Sequence, residues 1–146
     1  MKLSELLRQV TYRLVRGTDD IRIQAVKYDS RLVEIGDVFV CIRGYETDGH
    51  RFLSDALEKG AAAVVVQEYC AACRPERPDK VWMLCREYDE RISCQECWRF
   101  AENITVAAVP DTRYALSRMA SAYYGYPAKR MKIIGITGTK GKTTTA

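Results

Sequence analysis

Val38-Phe39-Val40-Cys41-Ile42, then Phe52-Leu53-Ser54-Asp55-Ala56-Leu57-Glu58-Lys59-Gly60, then Ala62-Ala63-Val64-Val65-Val66-Gln67 is the stretch that decides the fold. The outer two segments are continuous apolar runs, the pattern of a strand buried on both faces. The middle segment repeats its apolar residues at helical spacing, and Gly60 stops it. Strand, helix, strand with short connections is a βαβ unit. It requires a parallel pairing and a right-handed crossover. Gly36-Asp37 marks the turn into the first strand, and Gly44 to Gly49 forms a loop after it.

Working outward, Leu3, Leu6, Leu7 and Val10 predict a short helix, ended at Gly17. Asp20 to Tyr28 reads as a strand with Ile21, Ile23 and Ala25 on one face, and Asp29-Ser30-Arg31 as a polar loop. Ile104 to Val109 is a further strand. Asp111 is placed to cap a helix running to Tyr124, with Leu116, Met119, Ala120 and Tyr123 on its inner face. Gly125 and Pro127 end it, and Met131 to Thr137 reads as a last strand. The expected fold class is α/β, a small mixed or parallel sheet with flanking helices.

The chain has 146 residues, 47% hydrophobic and 29% charged, with a net charge of +4. That balance suits one folded core and excludes a disordered tail. The positive charge is spread along the chain, which argues against nucleic acid as a partner. The apolar run Ala61–Val66 is far short of the roughly 20 residues a membrane span needs. Charges at Glu5 and Arg8 fall where a signal peptide needs an apolar core, so the chain reads as cytosolic, away from membranes, and monomeric. Its six cysteines are then reduced thiols.

Five of those cysteines lie in residues 68–103, where periodicity is lost and which reads as an insertion around a short strand, Val81 to Cys85; four of the five lie outside that strand. Cys70-Ala-Ala-Cys73, twenty residues, then Cys94-Gln-Glu-Cys97 is the spacing of a four-thiolate zinc site. The alternative is four reduced cysteines in a variable excursion, since neither CxxC turn contains glycine. A zinc-ribbon binding module using Arg74, Arg77, Lys80, Arg86 and Arg91 is weakened by the acids interleaved with those bases. Cys41 and Cys85 read as small core residues.

Gly135-Ile-Thr-Gly138-Thr139-Lys140-Gly141-Lys142-Thr143-Thr144-Thr145 is the sharpest chemical signal. Glycines let backbone N–H groups converge on a phosphate. Lys142 is placed to reach the β and γ phosphates, and Thr143 to ligate Mg²⁺. Ile136 stands where the strict P-loop pattern has glycine. The sequence stops at Ala146, a few residues into the helix such a loop needs, and so reads as a piece of a longer nucleotide-using protein.

The loop Thr137 to Thr145 resembles the ATP loop of the Mur ligases, with Lys140 where the family usually has Asn. Asp29-Ser30-Arg31, Gly36-Asp37-Val38-Phe39-Val40, Gly44, Asp48-Gly49-His50 and Gly60-Ala61 resemble their N-terminal domain in the same order. Val109-Pro-Asp-Thr-Arg-Tyr-Ala-Leu116 with Tyr124-Gly-Tyr-Pro127 most resembles the branch that adds the third amino acid to UDP-N-acetylmuramoyl-L-alanyl-D-glutamate; the branch that adds the final dipeptide is the alternative. The resemblance implies an ATP-driven amide-forming ligase of peptidoglycan synthesis that uses ATP and Mg²⁺. It implies ATP contacts at Gly138, Thr139, Lys140, Gly141, Lys142, Thr143 and Thr144, with Thr143 on the metal. It implies contacts to the UDP-N-acetylmuramoyl dipeptide at Tyr28, Ser30, Tyr45, Glu46 and Thr47. It divides the chain into a UDP-substrate domain (1–109), a connecting helix and linker (110–130) and the start of an ATPase domain (131–146). No catalytic residue falls within these 146 residues, so the piece alone is expected to be inactive. His50, with no Ser, Cys or acid arranged around it as a triad, reads as structural.

Overall fold

The structure is a computed structural model that describes residues 1–45, 47–68 and 104–132. Among them, five strands form one sheet: β1 (Arg13–Arg16), β2 (Val26–Lys27), β3 (Val38–Val40), β4 (Ala63–Gln67) and β5 (Thr105–Val109). Their spatial order is β1-β5-β4-β3-β2. β2, β3, β4 and β5 run parallel, and β1 closes the β5 edge antiparallel. Helices α1 (Leu3–Leu6), α2 (Leu53–Glu58) and α3 (Thr112–Tyr123) complete the fold, with 3₁₀ turns at Ser30–Leu32, Gly49–Phe52 and Pro127–Arg130.

The βαβ unit is as expected. Val38 pairs with Ala63, Phe39 with Val64 and Val40 with Val65 in parallel register. Every residue of β3 and β5 is buried, and β4 opens only at Gln67. Strand alternation sends these side chains to two separate cores. Val38, Val40, Ala63, Val65, Ala107 and Val109 join Leu3, Leu6 and Leu7 of the α1 segment and Ala115, Met119 and Ala122 of α3. Phe39, Cys41, Val64, Val66, Val106 and Ala108 join Leu53, Ala56 and Leu57 of α2. The result is three layers, with the sheet in the middle. Cys41 is a fully buried free thiol whose pKa burial pushes up, so it packs as an apolar side chain. Among the described residues no helix is long and apolar enough to cross a membrane.

Asp111 caps α3, its carboxylate accepting from the N–H groups of Arg113 (2.8 Å) and Tyr114 (3.0 Å). The other end is a Schellman closure. Gly125 takes a φ of +69°, which brings its N–H to Ala122 O (3.0 Å) and the Tyr126 N–H to Ser121 O (2.7 Å).

Four expectations need correction. The strand expected over 20–28 is only Val26–Lys27, because its earlier part bonds elsewhere: Ile23 N–H donates to Met1 O (2.8 Å) and Gln24 N–H to Gly36 O (3.0 Å). The polar loop Asp29-Ser30-Arg31 winds into a 3₁₀ turn. The helical segment expected to end at Gly17 stops at Leu6, and Arg13–Arg16 form β1 instead, an edge strand whose Arg13 and Leu14 are exposed, so it lacks a buried-face pattern. The inner face of α3 is Thr112, Ala115, Met119 and Ala122, while Leu116 and Ala120 are half-buried and Tyr123 is exposed. Ala115, Met119 and Ala122 of that face pack with Leu3, Leu6 and Leu7 of the α1 segment and with the sheet. Met131 and Lys132 are irregular, and the rest of the strand expected over 131–137 lies outside the described residues, as do Val81 to Cys85.

Among the described residues Phe39 is the largest fully buried side chain. Phe39→Ala should therefore lower the unfolding free energy by about 3–5 kcal/mol. Ile35→Ala, at a side chain 76% exposed, should change it by no more than about 0.5 kcal/mol. Urea denaturation of the two variants checks both.

Candidate functional site

Parallel strands release their loops at the same edge, and in open α/β sheets that carboxyl edge is where ligands bind. β2 and β3 are neighbours in register, Val26 on Val38 and Lys27 on Phe39. The segments that follow them, 28–32 and 41–49, therefore leave the sheet side by side. They carry the residues singled out from the sequence.

The first segment is built around Asp29. Its carboxylate accepts from the Arg31 N–H (3.0 Å), which winds the 3₁₀ turn, and from the Arg31 guanidinium through Nε (2.9 Å) and Nη2 (2.6 Å). Those Arg31 side-chain hydrogen bonds, then the Arg31 backbone N–H, hold the carboxyl down at about 2. The turn folds Ser30 inward, to 6% exposure, while Tyr28 stays 66% exposed beside it. Lys59, at the end of α2, donates from Nζ to the Ser30 carbonyl (2.8 Å). The turn is thus fixed from two sides.

The second segment is a small hairpin. Arg43 and Asp48 form an antiparallel bridge, the Gly44 N–H donates to Thr47 O (2.9 Å), and the Gly49 N–H donates to Ile42 O (2.8 Å). A Cβ on Gly49 would lie 2.7 Å from the Ile42 backbone nitrogen, so only glycine allows this closure. Next to it, His50 is 3% exposed. Its Nε2 accepts from the Gln67 N–H (3.1 Å), which leaves the ring proton on Nδ1, 2.5 Å from the Asp48 carboxylate. His50 therefore joins the base of the hairpin to the end of β4; the Asp48 carboxylate beside it is an acid the sequence reading did not place there, and both side chains act as ties between backbone segments. A third tie comes from α3: Arg113 Nη2 donates to the Arg43 carbonyl (2.9 Å).

Tyr28, Ser30, Tyr45 and Thr47 thus sit on two adjoining loops at one edge. Tyr45 and Thr47 are exposed at the hairpin tip and Ser30 is buried. Glu46 lies outside the described residues, as do Gly138 to Thr144 and the four cysteines 70, 73, 94 and 97. Among the described residues no cluster of His, Cys, Asp and Glu could hold a metal. Lys59, Gln67 and Arg113 were not singled out from the sequence. No spacing rule marks them, because each acts through backbone contacts far away in the chain. The edge offers exposed aromatic rings and hydroxyls on a stiff base, which suits binding.

A family model described as Mur ligase family, catalytic domain, matches residues 22–124. The UDP-N-acetylmuramoyl-L-alanyl-D-glutamate–2,6-diaminopimelate ligase of Clostridium perfringens is 40% identical over 146 residues, which is 100% of this chain and 24% of that protein. The UDP-N-acetylmuramyl-tripeptide synthetase of Roseiflexus sp. is 38% identical over 145 residues, 99% of this chain and 23% of that protein. Among solved structures, the UDP-N-acetylmuramoylalanyl-D-glutamyl-2,6-diaminopimelate–D-alanyl-D-alanyl ligase of Acinetobacter baumannii aligns with a TM-score of 0.55 and 25% identity, over 99% of this chain and 26% of that one. The chain spans about a quarter of the length of these relatives.

The depressed Asp29 carboxyl has a sign that can be tested. Its folded value of about 2 lies below the ordinary value of 3.8, so its contribution is present above about pH 4 and is lost as pH falls towards about 2. The urea midpoint of the wild type should fall more steeply across that window than that of Asp29→Asn. Added salt should narrow the difference, because the pair faces solvent. Identical acid limbs in the two proteins would contradict the pairing.

Proposed function

The chain belongs to the Mur ligase family, and from that premise we propose that it is the UDP-substrate-holding portion of a ligase that adds the third amino acid to UDP-N-acetylmuramoyl-L-alanyl-D-glutamate. The observation that carries this is identity along the entire chain, 40% over 146 residues, with a ligase whose name states that substrate. The branch that adds a dipeptide is the second choice. The solved structure with that name matches at 25% identity, below the 38% and 40% of the tripeptide-type relatives.

In this proposal residues 1–109 are the substrate domain, 110–130 the connection, and 131–146 the start of the nucleotide-binding domain. The exposed ring of Tyr28 offers a face for the uracil, as aromatic side chains stack on bases. Ser30, Tyr45, Glu46 and Thr47 meet the ribose and diphosphate. The stiffness of both loops supports this, because a preformed site loses less ordering entropy on binding. Gly138, Thr139, Lys140, Gly141, Lys142, Thr143 and Thr144 would hold the ATP phosphates, and Thr143 the Mg²⁺. ATP supplies the phosphoryl group that activates the substrate carboxylate. The 146 residues alone carry no catalytic set in this scheme, and the protein works in the cytoplasm, where peptidoglycan precursors bearing UDP are built.

The test is titration of UDP into the 146-residue chain by calorimetry or NMR. Weak, saturable binding is expected. Tyr28→Ala should weaken it about tenfold, the scale of one base–aromatic stack, and leave the unfolding midpoint unchanged. Wild-type affinity in Tyr28→Ala would remove the uracil assignment. No binding at millimolar UDP would remove the site.

A further inference from the structure

Arg113 occupies the second position of α3, inside a first turn that holds no acidic residue. A cation there opposes the helix macrodipole, whose positive end lies at the N-terminus. Asp111 offsets part of this through its cap, but its carboxylate accepts from the Arg113 backbone N–H, not from the guanidinium. The guanidinium instead crosses seventy positions of sequence to the Arg43 carbonyl, at 2.9 Å. A residue that breaks a local charge rule while making a specific distant bond is expected where function outweighs helix stability.

That carbonyl sits at a mechanically useful point. Arg43 is the first residue of the hairpin bridge with Asp48, directly before the Gly44–Thr47 closure. On the far strand of the hairpin, Asp48 and His50 tie it to β4 at Gln67. On the near strand, among the described residues, Arg113 supplies the side-chain tie. The near strand is the one that leads into Tyr45.

We infer that Arg113 is a positioning residue of the ligand-facing edge: its bond to the Arg43 carbonyl holds the 43–48 hairpin against α3 and so sets where Tyr45 and Thr47 stand relative to Ser30. This rests on the reading of that edge as a UDP site. It adds a role for a residue on α3, outside both loops, which touches no ligand itself. It also makes the helix after β5 part of the site's scaffold.

The experiment uses the 146-residue chain, with Arg113→Ala and Arg113→Lys. Three readouts are taken: the thermal midpoint, amide hydrogen exchange at Gly44 and in the core at Val64, and the affinity for UDP. A merely structural arginine would lower the midpoint and leave local exchange in step with it. A positioning arginine predicts the opposite split for Arg113→Ala. The midpoint is unchanged or slightly raised, because a cation leaves the helix N-terminus. Exchange at Gly44 is faster by roughly five- to tenfold and that at Val64 is not, and UDP binds about five- to tenfold more weakly. Arg113→Lys, which keeps a charged donor, recovers part of both losses. Unchanged exchange at Gly44, or faster exchange with unchanged UDP affinity, overturns the inference. So does a lowered midpoint with uniform loosening. Binding that is present in the wild type and untouched in Arg113→Ala sinks the positioning role alone. Absence of UDP binding in the wild type sinks the site reading and the positioning role together.

Discussion

The parallel alignment of β2, β3, β4 and β5 is the constraint on which the rest depends. Strands buried on both faces are apolar or have their polar groups bonded: β3 is Val-Phe-Val, the buried part of β4 is Ala-Val-Val-Val, and in β5 Val-Ala-Ala-Val follows Thr105, whose hydroxyl donates to the Thr18 carbonyl (2.8 Å). Burial on two faces demands helices on both sides, and α1 with α3 covers one face while α2 packs on the other. Parallel direction then sends every strand's carboxyl end to one edge. The polar segments that leave β2 and β3 have no freedom to be elsewhere. Their proximity is a consequence of the hydrophobic core, not of any attraction between them.

Rigidity at that edge comes from a different source. The two loops contain few apolar residues to pack, so hydrogen bonds shape them. Asp29 winds one turn by accepting from Arg31, and Lys59 fixes its far side. The hairpin closes where Gly49 approaches the Ile42 backbone, and His50 carries the tie onward to Gln67. The tip between them, at Tyr45 and Thr47, stays exposed. A stiff base under exposed rings and hydroxyls is the arrangement that a binding edge requires.

Much of this was legible in the sequence because the strongest signals are the ones burial dictates. The continuous apolar runs 38–42 and 62–67 gave β3 and β4 nearly to the residue, and Asp111 gave the start of α3 through its capping chemistry. β1 was not legible, since an edge strand with arginines at both ends carries no alternation. The 20–28 strand was overread, because alternation at Ile21 and Ile23 reports burial against the core but not which partner takes the backbone bonds. For the site, Tyr28, Ser30, Tyr45 and Thr47 came only from the resemblance to the family, and the topology brings them to one edge. The roles of Lys59, Gln67 and Arg113 were not legible, although Arg113 lies in the Val109–Leu116 block that resembles the family, because their partners are backbone atoms or side chains distant in the chain.

The central claim is that the turn after β2 and the hairpin after β3 form one face for one ligand. The most direct measurement is the location of UDP bound to the 146-residue chain, by intermolecular NOEs or by a crystal structure of the complex. The account predicts uracil protons within contact of the Tyr28 ring and the diphosphate beside Ser30 and the 43–48 hairpin, both at the carboxyl edge of β2 and β3. UDP seated at the opposite, amino edge of the sheet, or touching one loop without the other, would contradict it.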